Sequence, residues 1–212
     1  MEILYKNWDD VTISVYRDIL DIVNDKSMTT TEINVALLAL FLGISEDDVY
    51  NMNVTEVNKL LPNIKFLDNF DFNKNFNSKK IKLNDNEFMI DTDLTKFTVA
   101  QYVDFQTFWG KNDINTYLPN ILSCILIPKG KKYNDGYDIV EVATLIEQYM
   151  PITIANSILF FFVKESVSLI RAFQICLDWK MRRMKKKMKK EDLEELQNKM
   201  DIMWEAVFSG LV

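Results

Sequence analysis

The start of the chain carries apolar residues every three or four positions, a spacing typical of amphipathic helices. The first of these patterns predicts a helix that ends at about Asn24, with Thr12 or Ser14 as its N-cap. A second and more strongly apolar segment ends at Gly43, and glycine is the residue that most often follows the last turn of a helix. The chain therefore opens with two predicted helices.

Two shorter helices are predicted after this glycine. Ser45 and Asp48 stand three residues apart, which matches a capping box with Asp in place of the usual Glu. A further helix is predicted from about Thr55 to Leu61, because Pro62 follows and proline disrupts a helix interior. Together with the first two helices, these segments define an N-terminal helical half over residues 1–67.

The middle of the chain, residues 68–96, changes from helical to alternating spacing. Apolar and polar side chains alternate between Lys79 and Asp91, on either side of the turn sequence Asn84-Asp85-Asn86. This pattern predicts one small β-hairpin within a linker. Because no second hairpin is visible, the predicted fold class is mainly α, a helical bundle with one small β-hairpin.

Helical spacing returns over residues 97–177, the predicted C-terminal helical half, and continues through residues 178–212. This last part is predicted to contain a C-terminal basic helix and an acidic terminal helix. The predicted helices of this region are Val99–Trp109, Thr116–Ile127, Val140–Tyr149, Ile152 to about Met188 and Glu191–Phe208.

The two halves share a sequence pattern that is typical of an internal duplication. Thr12 and Thr98 each precede a β-branched apolar residue, and each stands four residues before a tyrosine and six before an aspartate. Chance reuse of the same helix-capping pattern is the alternative explanation. If the duplication is real, the two threonines are equivalent N-caps, each contributing about 1 kcal/mol.

Residue composition argues against several classes of site. The chain contains no histidine, the commonest general base and metal ligand, so no catalytic, cofactor or metal site is predicted. Cys124 and Cys176 lie within apolar helical patterns and are predicted to be free buried thiols. The acidic clusters, which could in principle bind a divalent cation, stand at predicted helix starts, where carboxylates cap backbone N–H groups, and capping is the preferred interpretation. They are Asp9-Asp10, Glu46-Asp47-Asp48 and Asp91-Asp93. No signal peptide and no apolar run long enough for a bilayer is apparent, so secretion and membrane insertion are not expected.

A lysine- and glycine-rich loop over residues 128–138 is the first candidate contact region. It lacks the G-x-x-x-x-G-K-[ST] pattern of a phosphate-binding loop, and a surface loop with two turns is the simpler interpretation. Its tyrosines, Tyr133 and Tyr137, are candidate partner-binding residues because aromatic side chains are favoured at interface hot spots.

The second candidate is the basic segment Lys180–Lys190, which holds eight basic side chains and no acid. Removing these eight charges from the formal net charge of −6 leaves −14 on the rest of the chain. Methionines recur in it at spacings of three and four, which places an apolar stripe on a basic helix. Its alternative roles are a solvated or self-paired helix, contact with an acidic protein partner, or contact with nucleic acid or lipid. The candidate partner-binding residues here are Lys180, Arg182, Arg183, Lys185, Lys186 and Lys187.

Two further apolar features stand near the end of the chain. Trp204 and Phe208 lie four residues apart on one face of the terminal helix, which either docks on the chain's own core or inserts into a groove on a neighbour. Both are candidate partner-binding residues. The run Ile158–Val163 is apolar around its full circumference, which is typical of a central helix or of one covered by a partner.

Four longer stretches carry a family resemblance over roughly residues 5–170. They are NWDDVTISVYRDIL, LLALFLGISEDDVYNMNVTEVNKLLPNIKFL, DTDLTKFTVAQYVDFQTF and ILSCILIPKGKKYNDGYDI. They resemble a family of small helical proteins encoded in the morphogenesis region of tailed bacteriophages, including phages of gut bacteria. The resemblance implies a non-enzymatic protein, either of the tail-assembly-chaperone type or a minor virion protein.

Each of these roles implies a different kind of contact. A tail assembly chaperone coats the hydrophobic tape-measure protein and guides polymerisation of tail-tube subunits. A minor virion protein instead holds fixed interfaces in a head–tail connector ring or is packaged in the capsid. The resemblance thus implies phage structural or tail proteins as partners, and the host cytoplasm during assembly with the virion as the alternative location. An oligomer is a further alternative, which the apolar run Ile158–Val163 suggests. The chaperone role is preferred because the resemblance covers most of the chain. A nucleic-acid-associated packaging protein is the less favoured alternative, since the basic segment alone suggests it and the pI is about 4.9.

Overall fold

A computed structural model describes residues 3–69, 78–91, 93, 96–111, 113–133 and 135–164. These residues are mainly helical and include one small three-stranded antiparallel sheet, which confirms the predicted mainly α fold class. The first helices are α1 (Ile13–Asn24), α2 (Thr30–Leu42), α3 (Glu46–Tyr50) and α4 (Val54–Leu60), followed by a 3-10 helix (Leu61–Asp68). The later ones are α5 (Val99–Trp109), α6 (Ile114–Ile125), α7 (Ile139–Tyr149) and α8 (residues 152–164). The strands are β1 (Lys80–Leu83), β2 (Asn86–Ile90) and β3 (Leu126–Pro128).

Helix ends in the first half follow the predicted capping signals. The side chain of Thr12 accepts a hydrogen bond from the backbone N–H of Val15 and opens α1. Helix α2 ends at Gly43, whose φ of 64° is left-handed and suits a residue without a Cβ. Ser45 and Asp48 form the predicted reciprocal capping box of α3. Local side-chain to backbone bonds therefore set these boundaries.

Thr98 caps α5 in the same manner as Thr12 caps α1. Its side chain accepts from the backbone N–H of Gln101, and the Gln101 side chain accepts in return from the N–H of Thr98. Both threonines are thus N-caps, as predicted. A common origin for the two halves stays a prediction.

The sheet has one strand more than the predicted hairpin. Strands β1 and β2 pair across a turn in which Asn84 has a φ of 51°. Strand β3 pairs antiparallel with the other edge of β2, with Ile90 opposite Leu126. The prediction that a helix continues to Ile127 was therefore wrong, because the backbone of β2 supplies hydrogen-bond partners that draw the chain out of α6 after Ile125.

One continuous hydrophobic core contains residues from both predicted halves. The backbone N–H of Ile152 donates to the carbonyl of Val11 at 2.8 Å, which joins the start of α8 to the residues before α1. Arg17 on α1 forms an ion pair with Glu147 on α7. These contacts fasten the N-terminal half to the C-terminal elements.

Helix α8 packs against this core with one face. Ile158 and Phe162 are buried, whereas Phe160 is 63% exposed. Leu159, Phe161 and Val163 are partly buried, so within the described part of the chain the apolar run is covered around most of its circumference and leaves Phe160 exposed. The predicted helical residues 165–188 and 191–208 lie outside the described residues.

Candidate interaction surfaces

Tyr133 lies in the loop after β3, but its side chain is buried and only 8% of the residue is exposed. Its hydroxyl donates a hydrogen bond to Oδ2 of Asp104 on α5 at 2.9 Å. The same hydroxyl lies 3.7 Å from Sγ of Cys124 on α6. A side chain this buried offers almost no surface to a partner, which corrects the predicted contact role of Tyr133. The lysines before it suggested a solvated loop, whereas the ring packs inward between two helices.

The surroundings of this tyrosine form a buried polar cluster. Nε2 of Gln101, which is 2% exposed, donates to the backbone carbonyl of Cys124 at 2.7 Å. Burial raises the pKa of the Cys124 thiol to about 11, so the thiol keeps its proton at neutral pH and is a poor nucleophile. Burial, together with the neighbouring Cys124, also raises the pKa of Tyr133. The cluster therefore connects α5, α6 and the loop and contains no activated group.

The structure also shows where two other residues singled out from the sequence lie. Cys124 is a free buried thiol, as predicted. Tyr137 is half-buried and packs against the core, and its contact role stays a prediction. Cys176 lies outside the described residues. So do all the predicted partner-binding residues of the basic and terminal helices, namely Lys180, Arg182, Arg183, Lys185, Lys186, Lys187, Trp204 and Phe208.

The acidic clusters serve structural roles. Asp48 accepts from the hydroxyl and backbone N–H of Ser45, and these bonds lower the pKa of its carboxyl. The prediction that Asp9 caps a helix was wrong, because α1 begins four residues later. Oδ1 of Asp9 instead accepts a hydrogen bond from the hydroxyl of Thr153 at 2.7 Å. Asp10 accepts from the backbone N–H of Lys6. Among the described residues, no group of three or more Cys, Asp or Glu side chains is arranged to hold a metal ion.

The outer face of α5 exposes a row of apolar side chains. Val99, Tyr102 and Val103 recur at the three- and four-residue spacing of one helix face, and Val99 is 82% exposed. The opposite face packs into the core through Phe105, whose ring centroid lies 4.9 Å from that of Phe162. The α5 face, defined as Val99, Tyr102 and Val103, is therefore presented to solvent by a helix whose other side is anchored in the core.

A second apolar surface is the α2–α4 groove, a depression of about 350 Å³ between α2, α3 and α4. Its rim is partly exposed, with Val54 73% exposed and Tyr50 55% exposed. Met52 lines this groove and also an adjoining depression of about 340 Å³. The residues that line the groove are Thr31, Asn34, Val35, Leu38, Val49, Tyr50, Met52, Val54, Val57, Asn58 and Leu61.

Acidic side chains lie beside this groove. Glu46 and Asp47 on α3 precede Tyr50 by four and three residues, so helical spacing places them next to the rim. Glu56 lines the adjoining depression beside Met52, together with Lys59. Within the part of the chain that the structure describes, none of these three carboxylates is in an ion pair. The lining of the groove itself is apolar with uncharged polar side chains, and these carboxylates do not line it.

Sequence reasoning did not identify either surface. The spacing of Val99, Tyr102 and Val103 is visible in the sequence, but Phe105 and Phe108 make the other side of α5 equally apolar. Only the packed structure shows which side is covered. The α2–α4 groove depends on how three helices are placed relative to one another. The sequence pattern of a single helix does not contain this information.

Neither a membrane-spanning helix nor a match to a known protein was found for the described residues and the chain, respectively. No helix among the described residues combines the length and apolar character that crossing a bilayer requires. Comparison of the chain with protein-family models, with curated proteins and with solved structures gave no match.

Proposed function

We propose that this chain is a non-enzymatic morphogenesis protein of a tailed bacteriophage that acts through protein–protein contacts in the host cytoplasm, in the manner of a tail assembly chaperone. The phage context comes from the resemblance of the four stretches quoted above. The mode of action is supported above all by one observation, the exposed apolar face of α5. The client we propose for this face is a hydrophobic segment of the tape-measure protein.

The α5 face has the properties that a reversible apolar contact needs. Phe105 packs against Phe162 and anchors the helix that carries the α5 face, so binding a client requires little additional ordering of its backbone. Fully burying one such side chain contributes about 1.5–3 kcal/mol. An interface of only three such side chains gives a weak and therefore reversible contact. A chaperone needs such a contact because it must release its client.

The buried polar cluster supports a non-enzymatic role for the described region. Its thiol, Cys124, has a pKa of about 11, opposite to the lowered pKa that a nucleophilic cysteine needs. The carboxyls with lowered pKa values include Glu32, Asp48 and Asp113, each of which accepts hydrogen bonds at a helix start. These groups stabilise helices and do not converge on a common pocket.

A fixed virion component is the second candidate function. The observation that favours it is the apolar α2–α4 groove, which suits a permanent interface better than a transient one. A component of a head–tail connector ring holds the same contacts in every particle, whereas an assembly factor leaves before the particle is complete.

Quantitative mass spectrometry of purified mature virions separates the two roles. For an assembly factor we expect the chain to be abundant in infected-cell lysate and missing from finished particles. A fixed copy number beside the portal and capsid proteins would instead establish the virion component and refute the chaperone role. Failure to find the chain in either fraction would refute the phage proposal as a whole.

Coexpression with the tape-measure protein tests the α5 face directly. We expect the wild-type chain to keep the tape-measure protein soluble, and we expect Val99→Glu to abolish this effect. Val140→Glu is the matched control, because Val140 is also in the first turn of a helix and is 67% exposed. Equal behaviour of the two variants would refute the assignment of the client site to α5.

A further inference from the structure

We propose that the free edge of β1 binds an extended, acidic segment of a partner protein, which adds to the sheet as a fourth strand. The β1 edge is defined as the backbone N–H and C=O groups of Lys80 and Lys82, together with their side chains. This proposal does not depend on the phage assignment. It rests on the register of the three strands, on the backbone groups that the edge leaves open, and on the charges beside it.

Strand β1 lies at the edge of the three-stranded sheet. The strand order is β1-β2-β3, so β2 pairs with only one side of β1. The N–H of Ile90 donates to the carbonyl of Lys79 at 3.0 Å, and bonds to the partner strand recur at every second residue of an antiparallel pair. The backbone groups of Lys80 and Lys82 therefore point away from β2. An added strand would pair with these groups.

The two residues differ in how these backbone groups are bonded. The N–H of Lys80 donates to the hydroxyl of Ser78, and that hydroxyl donates to the carbonyl of Lys80. This local pair closes the start of the edge until a strand replaces it. The N–H and C=O of Lys82 form no hydrogen bond with any residue that the structure describes, and Lys82 is exposed. An exposed backbone pair at a sheet edge is a template for another strand.

The register also places both lysine side chains on the outer face of the sheet. Successive residues of a strand point to opposite faces, and Leu83 is buried on the core side. Lys82 therefore points outward, opposite its cross-strand partner Glu87, and Lys80 lies opposite Met89. Met89 is 42% exposed, so this face is open to solvent within the described part of the chain.

The outer face carries more positive than negative charge. Nζ of Lys129 lies 2.7 Å from the carboxylate of Glu87, and Nζ of Lys80 lies 3.3 Å from it. Lys82 forms no ion pair with a described residue. Three positive charges against one negative charge leave a net charge of +2. Because Lys129 holds Glu87 at the shorter distance, Lys80 can turn to a partner carboxylate without leaving Glu87 unpaired.

Charge identifies the occupant as an acidic strand. A second copy of β1 would place lysines against lysines, and like charges on neighbouring strands are destabilising. Lysines on exposed edges oppose such self-pairing in many sheets. Aspartate or glutamate at alternate positions of an added strand would instead lie beside Lys80 and Lys82. A nucleic acid has no peptide groups for the edge to pair with, so a protein segment is the better match.

Fluorescence anisotropy of a labelled peptide mixed with the full-length chain tests this proposal. The probe alternates Glu and Thr, so that one side of the extended strand carries only carboxylates. We expect wild-type protein to bind this peptide, and not a peptide that alternates Lys and Thr. Lys80→Glu combined with Lys82→Glu should weaken binding about tenfold or more, because attraction becomes repulsion. Glu87→Gln should strengthen binding about two- to fivefold, because Lys80 loses a competing carboxylate.

Two control variants locate the site. Lys59→Glu combined with Lys65→Glu makes the same change of charge on exposed residues of α4 and the 3-10 helix. The second control reverses part of the basic segment with Lys185→Glu, Lys186→Glu and Lys187→Glu. Each should change binding of the acidic peptide less than about twofold at physiological salt, which screens distant charges. Circular dichroism spectra confirm that every variant is folded.

Amide hydrogen exchange measured by NMR separates strand addition from simple charge attraction. The N–H of Lys82 should exchange about tenfold or more slowly in the presence of the peptide, because it is then hydrogen-bonded. The proposal is overturned if wild-type protein fails to bind the acidic peptide, or binds it without protecting this amide. It is equally overturned if the basic-segment variant loses binding while the β1 variant keeps it. Tighter binding of a single-stranded oligonucleotide that depends on Lys82 would assign the edge to nucleic acid instead.

Discussion

Replacing Tyr133 by phenylalanine removes one oxygen atom from the buried polar cluster and changes little else. The lost hydroxyl donates to Asp104 at 2.9 Å and also lies near the thiol of Cys124. A hydrogen bond to a charged group contributes about 1.5–3 kcal/mol, and the half-buried carboxylate of Asp104 recovers part of this from water. We therefore expect the free energy of unfolding to fall by about 1–2 kcal/mol.

Urea denaturation followed by far-UV circular dichroism measures this loss. The midpoint is expected to fall while the slope stays constant, because the area exposed on unfolding is almost unchanged. In a chain of this length the melting temperature is expected to fall by roughly 2–8 °C. Tyr102→Phe is the matched control, because that tyrosine is on α5 and its side chain is exposed.

A double-mutant cycle with Asp104→Ala identifies the partner of the hydroxyl. If the hydroxyl acts through Asp104, the two substitutions together cost less than the sum of their separate effects, with a coupling energy of at least about 0.5 kcal/mol. The reasoning is refuted if Tyr133→Phe costs no more than Tyr102→Phe. It is also refuted if the cycle shows no coupling, since the stabilising contact would then lie elsewhere.

Three further predictions concern pH dependence, backbone conformation and capping. Between about pH 9 and pH 11 the unfolded chain loses the Cys124 proton that the folded chain retains, so the free energy of unfolding should fall with rising pH, by up to roughly 3 kcal/mol. Urea titrations at several pH values should show a smaller fall for Cys124→Ala, and equal falls would contradict the assignment. Gly43→Ala should lower the free energy of unfolding by about 1–2 kcal/mol because of the left-handed φ of Gly43. The loss should exceed that of Gly130→Ala, since an added Cβ at Gly43 lies 3.1 Å from Leu4 and one at Gly130 meets nothing within 4 Å. Equal melting temperatures of the two variants would contradict the role of that contact. Thr29→Ala should cost about 1 kcal/mol through loss of the capping box of α2, and an unchanged melting temperature would argue against it.

The local features of the fold could be predicted from short stretches of sequence. Thr12, Ser45 and Thr98 act on backbone N–H groups no more than three residues away, so the signal and its effect lie in the same stretch. The same holds for Gly43, whose left-handed conformation follows from its position after an apolar helix. Strands β1 and β2 were predictable for a similar reason, because a tight turn joins them.

Features that depend on distant partners could not be predicted in this way. Residues 126–128 have an apolar sequence that suits a helix or a strand, and pairing with β2 decides for the strand. Tyr133 follows two lysines and suggests a solvated loop, yet the hydroxyl reaches a carboxylate 29 residues earlier in the chain. In both cases the deciding interaction is absent from the local sequence.

The sequence by itself therefore determined the fold class, most helix boundaries and the absence of histidine chemistry. The tertiary structure decided which face of α5 is exposed and how α2, α3 and α4 together form an apolar groove. The physical reason is the range of the interactions. Capping and turn formation act within a few residues, whereas burial depends on which distant element packs against each face.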